Sequence, residues 1–350
     1  MMRQTMAGET VGMALHNQTL GAPPPRRPGS LRRTVSTQSF WPDELDGPMT
    51  VISIARDLLT DDAAATPQLL GQDRLLSTLS PDRRLLSIEA SRRQDAMAGL
   101  VGLRPGGEMR RAMAAAMPEE GAGSTRLYRL LDDMAGAVFM APAGWYDWVP
   151  GGPAYYDRAL GQSPVMDRSV EGVCISFQAG SPALTADGRT NEAIANHPVA
   201  PIAFEGADPW GWHRLADVRG PNQWRVRRLD LWQQDGLLQV DSWFQDSAVK
   251  RGSTDTRILF HEYGLRATID PETLILLSID VQAAVLPFTS CLAAPATARH
   301  LIGQPVSTFR KLVPVTLPGT RGCTHLNDML RALQDVDTLA GSLRAQQTAA

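Results

Sequence analysis

The fold is decided by the segment WRVRRLDLWQQDGLLQVDSWF, residues 224–244. Its first part, residues 224–232, mixes aromatic, aliphatic and charged side chains in the way of a half-buried strand. Asp235-Gly236 favours a two-residue hairpin turn, and residues 237–244 supply a return strand. The segment therefore predicts an antiparallel hairpin.

The chain after this hairpin predicts a second hairpin and then helices. Residues 257–269 and 273–282 are typical of strands, joined by a turn at Asp270-Pro271-Glu272. The last helix carries one apolar stripe at the spacing i, i+3, i+4 and i+7, formed by Leu326, Met329, Leu330 and Leu333. Strands followed by helices predict an α+β fold, with helices packed on one face of an antiparallel sheet.

The same order of features occurs twice in the chain. Gly47 to Asp57 and Gly236 to Asp246 are both steps of ten residues. Residues 32–137 and 227–335 are therefore predicted to be two degenerate copies of one strands-then-helices unit. The other matches are Arg32-Arg33 with Arg227-Arg228, Ser80-Pro81-Asp82 with Asp270-Pro271-Glu272, Leu100-Val101-Gly102 with Leu301-Ile302-Gly303, and Leu131-Asp132-Asp133-Met134 with Leu326-Asn327-Asp328-Met329.

These features divide the chain into five parts. We expect a disordered leader (1–30), a first α+β repeat (31–137), an insert (138–223), a second α+β repeat (224–340) and a disordered tail (341–350). The insert is rich in Gly, Pro, Trp and Tyr, and because flexible linkers carry few aromatic residues, it is expected to form ordered loops. His213 within it is either a pocket residue or a structural loop histidine.

Composition excludes several classes of function. The formal net charge of −3 is unlike that of a general nucleic-acid binder. No run of apolar residues is long enough for a membrane span, and residues 1–20 lack the pattern of a signal peptide. Three cysteines cannot all pair, which favours a reducing, cytoplasmic location. No nucleotide-binding motif is present, so no nucleotide cofactor is expected.

The charged residues within the predicted strands and helices have ordinary explanations. The basic run Arg225-Val226-Arg227-Arg228 is expected on the solvent face of its strand. Asp132, Asp133 and Asp328 are expected near helix starts, where a carboxylate meets the positive end of the helix dipole.

Two cysteines and two histidines of the second repeat form the main candidate site: His261, Cys291, Cys323 and His325. Thiolate and imidazole groups bind zinc and iron–sulfur clusters. The first two residues flank the second hairpin and the other two open the last helix, so one edge of the sheet could bring all four together. The leading hypothesis is a zinc or iron–sulfur site with these four ligands, whose partner is a metal or a small molecule.

Two other hypotheses stay open for the same residues. In the first repeat, the positions that correspond to Cys323 and His325 are occupied by Tyr128 and Leu130. The first repeat would then be a purely structural copy. A metal-free lyase or hydrolase of small metabolites, aromatic ones included, could use Cys323 and His325 as nucleophile and acid–base pair. The helix N-terminus would favour the Cys323 thiolate. The third hypothesis is a non-catalytic binding or assembly module. Cys174, in an apolar segment, is expected to be an inert buried thiol.

The chain after residue 30 resembles the bacterial domain-of-unknown-function family 2889. That resemblance implies no activity. It rests on Leu31-Arg32-Arg33-Thr34, Asp46-Gly47-Pro48, Ala55-Arg56-Asp57-Leu58-Leu59, His261-Glu262-Tyr263, Leu286-Pro287-Phe288-Thr289-Ser290-Cys291 and Gly322-Cys323-Thr324-His325-Leu326.

A second, weaker resemblance concerns the order of strands, cysteines and helices. That order is similar to the iron–sulfur cluster assembly scaffold proteins. It implies that His261, Cys291 and Cys323 stand where the scaffold has its three cysteine ligands. The chain departs from the scaffold pattern at His261-Glu262-Tyr263, where the scaffold has Cys-Gly-Asp.

Overall fold

The computed structural model describes residues 17–43, 47–62, 66–149, 169–204 and 208–349. Within these residues nine strands form one sheet, and all neighbouring strands are antiparallel. The strands are β1 (Ser30–Phe40), β2 (Met49–Thr60), β3 (Gln68–Leu79), β4 (Leu85–Ala90), β5 (Val199–Pro201), β6 (Asn222–Gln234), β7 (Leu237–Val249), β8 (Thr256–Ile269) and β9 (Leu276–Val285).

The pairing of β1 with β6 joins the two halves of the sheet. The strand order is β4-β3-β2-β1-β6-β7-β8, and both β5 and β9 pair with β8. Asp235 and Gly236, between β6 and β7, have φ angles of 52° and 75°, the left-handed pair that a two-residue hairpin turn requires. Both predicted hairpins are confirmed. β9 begins at Leu276, later than expected, because Asp270 Oδ1 accepts the backbone N–H groups of Glu272 and Thr273 and holds these residues in the turn.

Each half continues from its strands into helices, which confirms the predicted α+β class. The first half has α1 (Gln94–Met97), α2 (Gly107–Ala116), α3 (Pro118–Ala122) and α4 (Arg126–Met140), and the second has α5 (Ala294–Thr297), α6 (Phe309–Thr316), α7 (Thr324–Ala332) and α8 (Asp335–Ala349). The common order of elements agrees with a duplicated unit, but the duplication itself stays a prediction. α8 runs through residues 341–349, which we expected to be disordered. No helix in the described residues is long and apolar enough to cross a bilayer.

The two faces of the sheet have different covers. Arg33 donates to the backbone oxygen of Ser124, beside the start of α4, whereas Arg32 donates to that of Gly211 in the insert. Because successive strand residues point to opposite faces, the helices cover one face and the insert covers the other. Residues 17–29, expected in a disordered leader, also lie on the insert side, where Arg26 pairs with Asp208 at 2.8 Å. Residues 1–16 lie outside the described part.

The helix face carries a hydrophobic core in each half and a charged layer between them. Leu130 and Met134 belong to the first core, and Leu326 and Leu330 to the second. Buried ion pairs connect the halves, with Arg129 Nη2 2.8 Å from Asp335 Oδ1, and Arg331 Nη2 2.9 Å from Asp132 Oδ1. Removal of one partner from such a buried pair costs about 3–5 kcal/mol.

The arginines predicted on a solvent face are in fact buried: Arg225 and Arg227 lie on this helix face, and Arg228 lies on the opposite face, where it contacts Asp230. Arg225 pairs with Asp246 at 2.8 Å, and Arg227 pairs with Asp133 at 2.8 Å. The helix carboxylates that we expected to act on helix dipoles are instead partners of these arginines and of Arg331. The expectation of a solvent face was wrong because a strand buried on both sides shows the same alternation of charges.

Candidate metal centre

Asp246, His261 and His325 meet on the helix face of the second half. Asp246 on β7 is the direct cross-strand neighbour of His261 on β8. His325 is the second residue of α7, whose N-cap is Cys323, so the predicted helix start is confirmed. The predicted stripe Leu326, Met329, Leu330 and Leu333 is buried in the second core, which fixes the rotation of α7 and turns His325 towards the sheet.

The three side chains converge on one carboxylate oxygen. Asp246 Oδ2 lies 3.9 Å from His261 Nδ1 and 3.8 Å from His325 Nε2. One ligand atom from each residue lies within 4.8 Å of the others, and in the described part of the chain no other group of Asp, Glu, His or Cys meets that condition. The two imidazole rings are stacked, with centroids 3.5 Å apart and planes 16° apart.

The stacking of the two rings limits how this site could bind an ion. A bound ion lies near the plane of each imidazole ligand, about 2.0–2.1 Å from its nitrogen. Two nearly parallel rings 3.5 Å apart cannot both meet that condition for one ion. Coordination by both histidines therefore requires one ring to turn out of the stack.

Burial keeps both imidazoles neutral at neutral pH. Burial lowers the pKa of His325 to about 3, and the positive charge of Arg225 acts in the same direction. Burial, and then His325, hold the pKa of His261 well below its usual range, against the opposing effect of Asp246. The neutral form is the one that binds metals. His261 Nδ1 is buried and has no hydrogen-bond partner.

Asp246 is held in place by two side chains of β6. Arg225 Nε donates to Oδ1 at 2.9 Å and Arg225 Nη2 donates to Oδ2 at 2.8 Å. Gln223 Nε2 also donates to Oδ1, at 3.1 Å. Arg225 itself is 2% exposed and contacts Asp328 through Nη1 at 3.1 Å.

The two predicted cysteine ligands lie outside this group. Cys323 accepts a hydrogen bond from the Tyr263 hydroxyl at 3.4 Å and, like Cys291, belongs to the second hydrophobic core. Burial raises the pKa of Cys323 although backbone N–H groups of α7 and the Tyr263 hydroxyl oppose this, and it raises the pKa of Cys291 to about 12. The prediction that the helix N-terminus favours a Cys323 thiolate is therefore wrong. The structure brings together His261 and His325 of the four predicted residues and adds Asp246.

The first half has a different arrangement around Asp57, its counterpart of Asp246. Arg33 binds both carboxylate oxygens, at 2.7 and 2.8 Å. The cross-strand neighbour of Asp57 is Gly71, and the guanidinium of Arg126, from the first turn of α4, fills the space beside this glycine. Arg126 Nη1 donates to Asp57 Oδ2 at 2.9 Å.

This arrangement corrects two details of the predicted repeat. Arg33 and Arg225 are the equivalent partners of the two aspartates, whereas the sequence matches had aligned Arg32-Arg33 with Arg227-Arg228. Leu130, the predicted counterpart of His325, lies in the first core, and Arg126 is the residue that contacts the aspartate.

The insert forms no part of the candidate centre's ligand set. His213 is buried between the hydroxyls of Thr34 and Ser36, at 2.9 and 2.6 Å, as a structural loop histidine. Tyr155 and Tyr156 lie outside the described residues. Two adjoining cavities, of about 310 and 400 Å³, lie along β7–β9 on the face of the sheet opposite the helices. Neither cavity is lined by His261 or His325.

Asp246 was missed because a carboxylate within a strand carries no ligand motif. The available signal was its position: an acidic residue in an apolar strand, ten residues after a glycine in both halves. A buried carboxylate of this kind needs a cationic partner.

The fold and site thus define an α+β protein with one large antiparallel sheet and an Asp-His-His cluster. A family model described as a protein of unknown function (DUF2889) matches residues 223–338. That range is less than half of the chain but includes all three cluster residues, and it supports the resemblance to this family. No curated protein and no solved structure matches the chain.

Proposed function

We propose that the protein binds a divalent transition-metal ion of the zinc type through Asp246, His261 and His325. The observation that carries this proposal is the convergence of His261 Nδ1 and His325 Nε2 on Asp246 Oδ2. Two neutral imidazoles and one carboxylate are suited to such ions without loss of a proton from the histidines. The orphan Nδ1 atom of His261 would gain a partner when the ion binds.

The ligand types favour zinc over the alternatives. An iron–sulfur cluster needs several thiolates, and the thiols of Cys291 and Cys323 lie outside the group of Asp246, His261 and His325. Calcium takes six to eight oxygen ligands, and this site offers two nitrogens. Zinc, cobalt and nickel accept a mixed set of nitrogen and oxygen donors.

Three protein ligands leave a coordination position open for water or a substrate. Structural zinc sites use four protein ligands, whereas catalytic ones use three. An ion held in this way would polarise a small molecule or activate a water for a hydrolytic or lyase reaction. The metal-free alternative has less support, because a buried, protonated Cys323 is a poor nucleophile.

Metal analysis of the full-length protein tests the proposal. The protein is supplied with zinc, desalted and analysed for bound metal, next to His325→Ala, His261→Ala and the control Cys323→Ala. We expect zinc in stoichiometric amount in the wild type and in Cys323→Ala, and its loss in both histidine variants. A wild type without zinc, or histidine variants that retain it, would overturn the proposal.

A further inference from the structure

Among the residues that the structure describes, the hydrogen bonds of Asp246 leave one free acceptor position on its carboxylate. A carboxylate has about four lone-pair sites, two on each oxygen. Oδ1 accepts from Arg225 Nε and Gln223 Nε2, and Oδ2 accepts from Arg225 Nη2. The remaining site is on Oδ2, which is also the oxygen closest to the two imidazoles.

From this pattern we infer that Arg225 and Gln223 are positioning residues that make Asp246 a one-oxygen metal ligand. The inference rests on the proposed function. With Oδ1 fully occupied, an ion cannot chelate both oxygens, and it must bind Oδ2 on the side of His261 and His325. The two residues thereby select an ion that is satisfied with one oxygen and two nitrogens, and they disfavour calcium, which prefers several oxygens.

Arg225 is well fixed for such a role. Its Nη1 bonds Asp328 Oδ2 at 3.1 Å, and its guanidinium lies 5.0 Å from the centre of the Phe244 ring. Gly136 of α4 provides the space, since a Cβ atom at this position would overlap Nη1. A guanidinium held on three sides keeps the carboxylate in one orientation, and loss of such outer partners typically weakens metal binding about 10–100-fold.

The test measures zinc affinity by competition with a chromophoric chelator in the full-length protein. Arg225→Lys keeps the positive charge but cannot bind both oxygens, and we expect zinc affinity to fall about 10–100-fold. Gln223→Leu leaves the ion pair intact and frees one site on Oδ1, so we expect a smaller loss. In both variants the preference for zinc over calcium, measured by competition, should decrease because the second oxygen becomes available. A purely structural role would not change this preference.

Arg33→Lys is the matched control, because Arg33 binds Asp57 with the same two-bond geometry in the first half. It should lose stability without a change in zinc affinity. Folding of each variant is checked by circular dichroism, and Gln223→Leu decides the question if Arg225→Lys does not fold. Unchanged or increased zinc affinity and selectivity in folded variants would overturn this inference alone. Absence of zinc from the wild type would overturn both proposals.

Discussion

Each half of the sheet has a buried aspartate at a corresponding position, and the side chains around the two aspartates differ. Asp57 and Asp246 are each bound at both oxygens by an arginine of the preceding strand. In the first half a second guanidinium, from Arg126, adds a further hydrogen bond to Asp57. In the second half the corresponding space holds two neutral imidazoles, and no second arginine contacts Asp246 among the described residues.

The two halves therefore differ in the charge that lies beside the aspartate. Gly71 leaves room beside Asp57, and a charge of the protein fills it. His261 and His325 occupy the equivalent position with neutral rings, whose Nδ1 and Nε2 atoms lie 3.9 and 3.8 Å from Asp246 Oδ2. The Arg126 guanidinium of the first half thus occupies the position in which the second half would hold a bound ion. Substitutions in either half can test this comparison.

The largest effect is expected from Asp57→Asn. The substitution leaves Arg33, 3% exposed, and Arg126 without their shared carboxylate, and we expect the free energy of unfolding to fall by about 3–5 kcal/mol. Urea unfolding followed by circular dichroism measures it. Zinc affinity should stay unchanged, since the second half is intact. In contrast, Asp246→Asn should both destabilise the protein and abolish zinc binding.

Asp95→Asn serves as the surface control for that prediction. The Asp95 side chain is 82% exposed, so its loss should change stability by less than about 0.5 kcal/mol. Arg33 also lies 3.0 Å from Asp335, and Arg126 lies 3.4 Å from Asp73. A loss below about 1 kcal/mol for Asp57→Asn would mean that these second carboxylates are sufficient partners, and the comparison between the halves would lose its basis.

The sequence predicts the strands and helices better than the side-chain contacts between them. Asp235-Gly236 and the stripe from Leu326 to Leu333 are local signals, and both hairpin and helix lie where these signals place them. The pairing of Arg225 with Asp246 depends on strand register, and that of Arg126 with Asp57 depends on how α4 packs on the sheet. Neither is encoded by spacing within one segment.

The cysteines show the limit of reasoning from residue types. Cys323 does lie at a helix N-terminus, where dipole and N–H groups favour a thiolate, but burial in the second hydrophobic core outweighs them and raises its pKa, although the Tyr263 hydroxyl also acts in the opposite direction. Burial depends on the whole core, so the protonation state could not be read from a motif. His261 and His325 are predicted from the sequence because imidazole is a metal ligand and both residues lie in the second repeat together with Cys291 and Cys323.

An intermediate effect is expected for His213, a buried histidine outside the group of Asp246, His261 and His325. This imidazole lies in the insert and packs on the other face of the first half, and burial, with Arg56, lowers its pKa from 6.5 to about 3. Because the unfolded chain binds this proton more readily, stability is lost as pH falls below 6.5. The contribution of His213 is about 2 kcal/mol between pH 7.5 and pH 5.

Urea unfolding at both pH values, with a chelator present, measures this loss. His213→Gln removes the titrating group, and its stability should depend less on pH by that amount. His213 contacts none of Asp246, His261 and His325, so His213→Gln should bind zinc as the wild type does. An equal pH dependence in wild type and variant would show that folding does not lower the pKa of His213.

The smallest effect is expected from Gly71→Ala. The added methyl group would overlap the Arg126 guanidinium and displace it from Asp57. Since Arg126 is 25% exposed at its side chain, it can move into solvent, and we expect a loss of only about 1 kcal/mol in unfolding free energy. Gly99→Ala is the control, because no atom lies within 4 Å of a Cβ at this position. This control should leave stability unchanged or raise it slightly, as fewer unfolded conformations remain. If Gly71→Ala behaved like Gly99→Ala, the position of Arg126 would not depend on the space left by the glycine. The guanidinium of the first half could then not be used to locate a cation site in the second half.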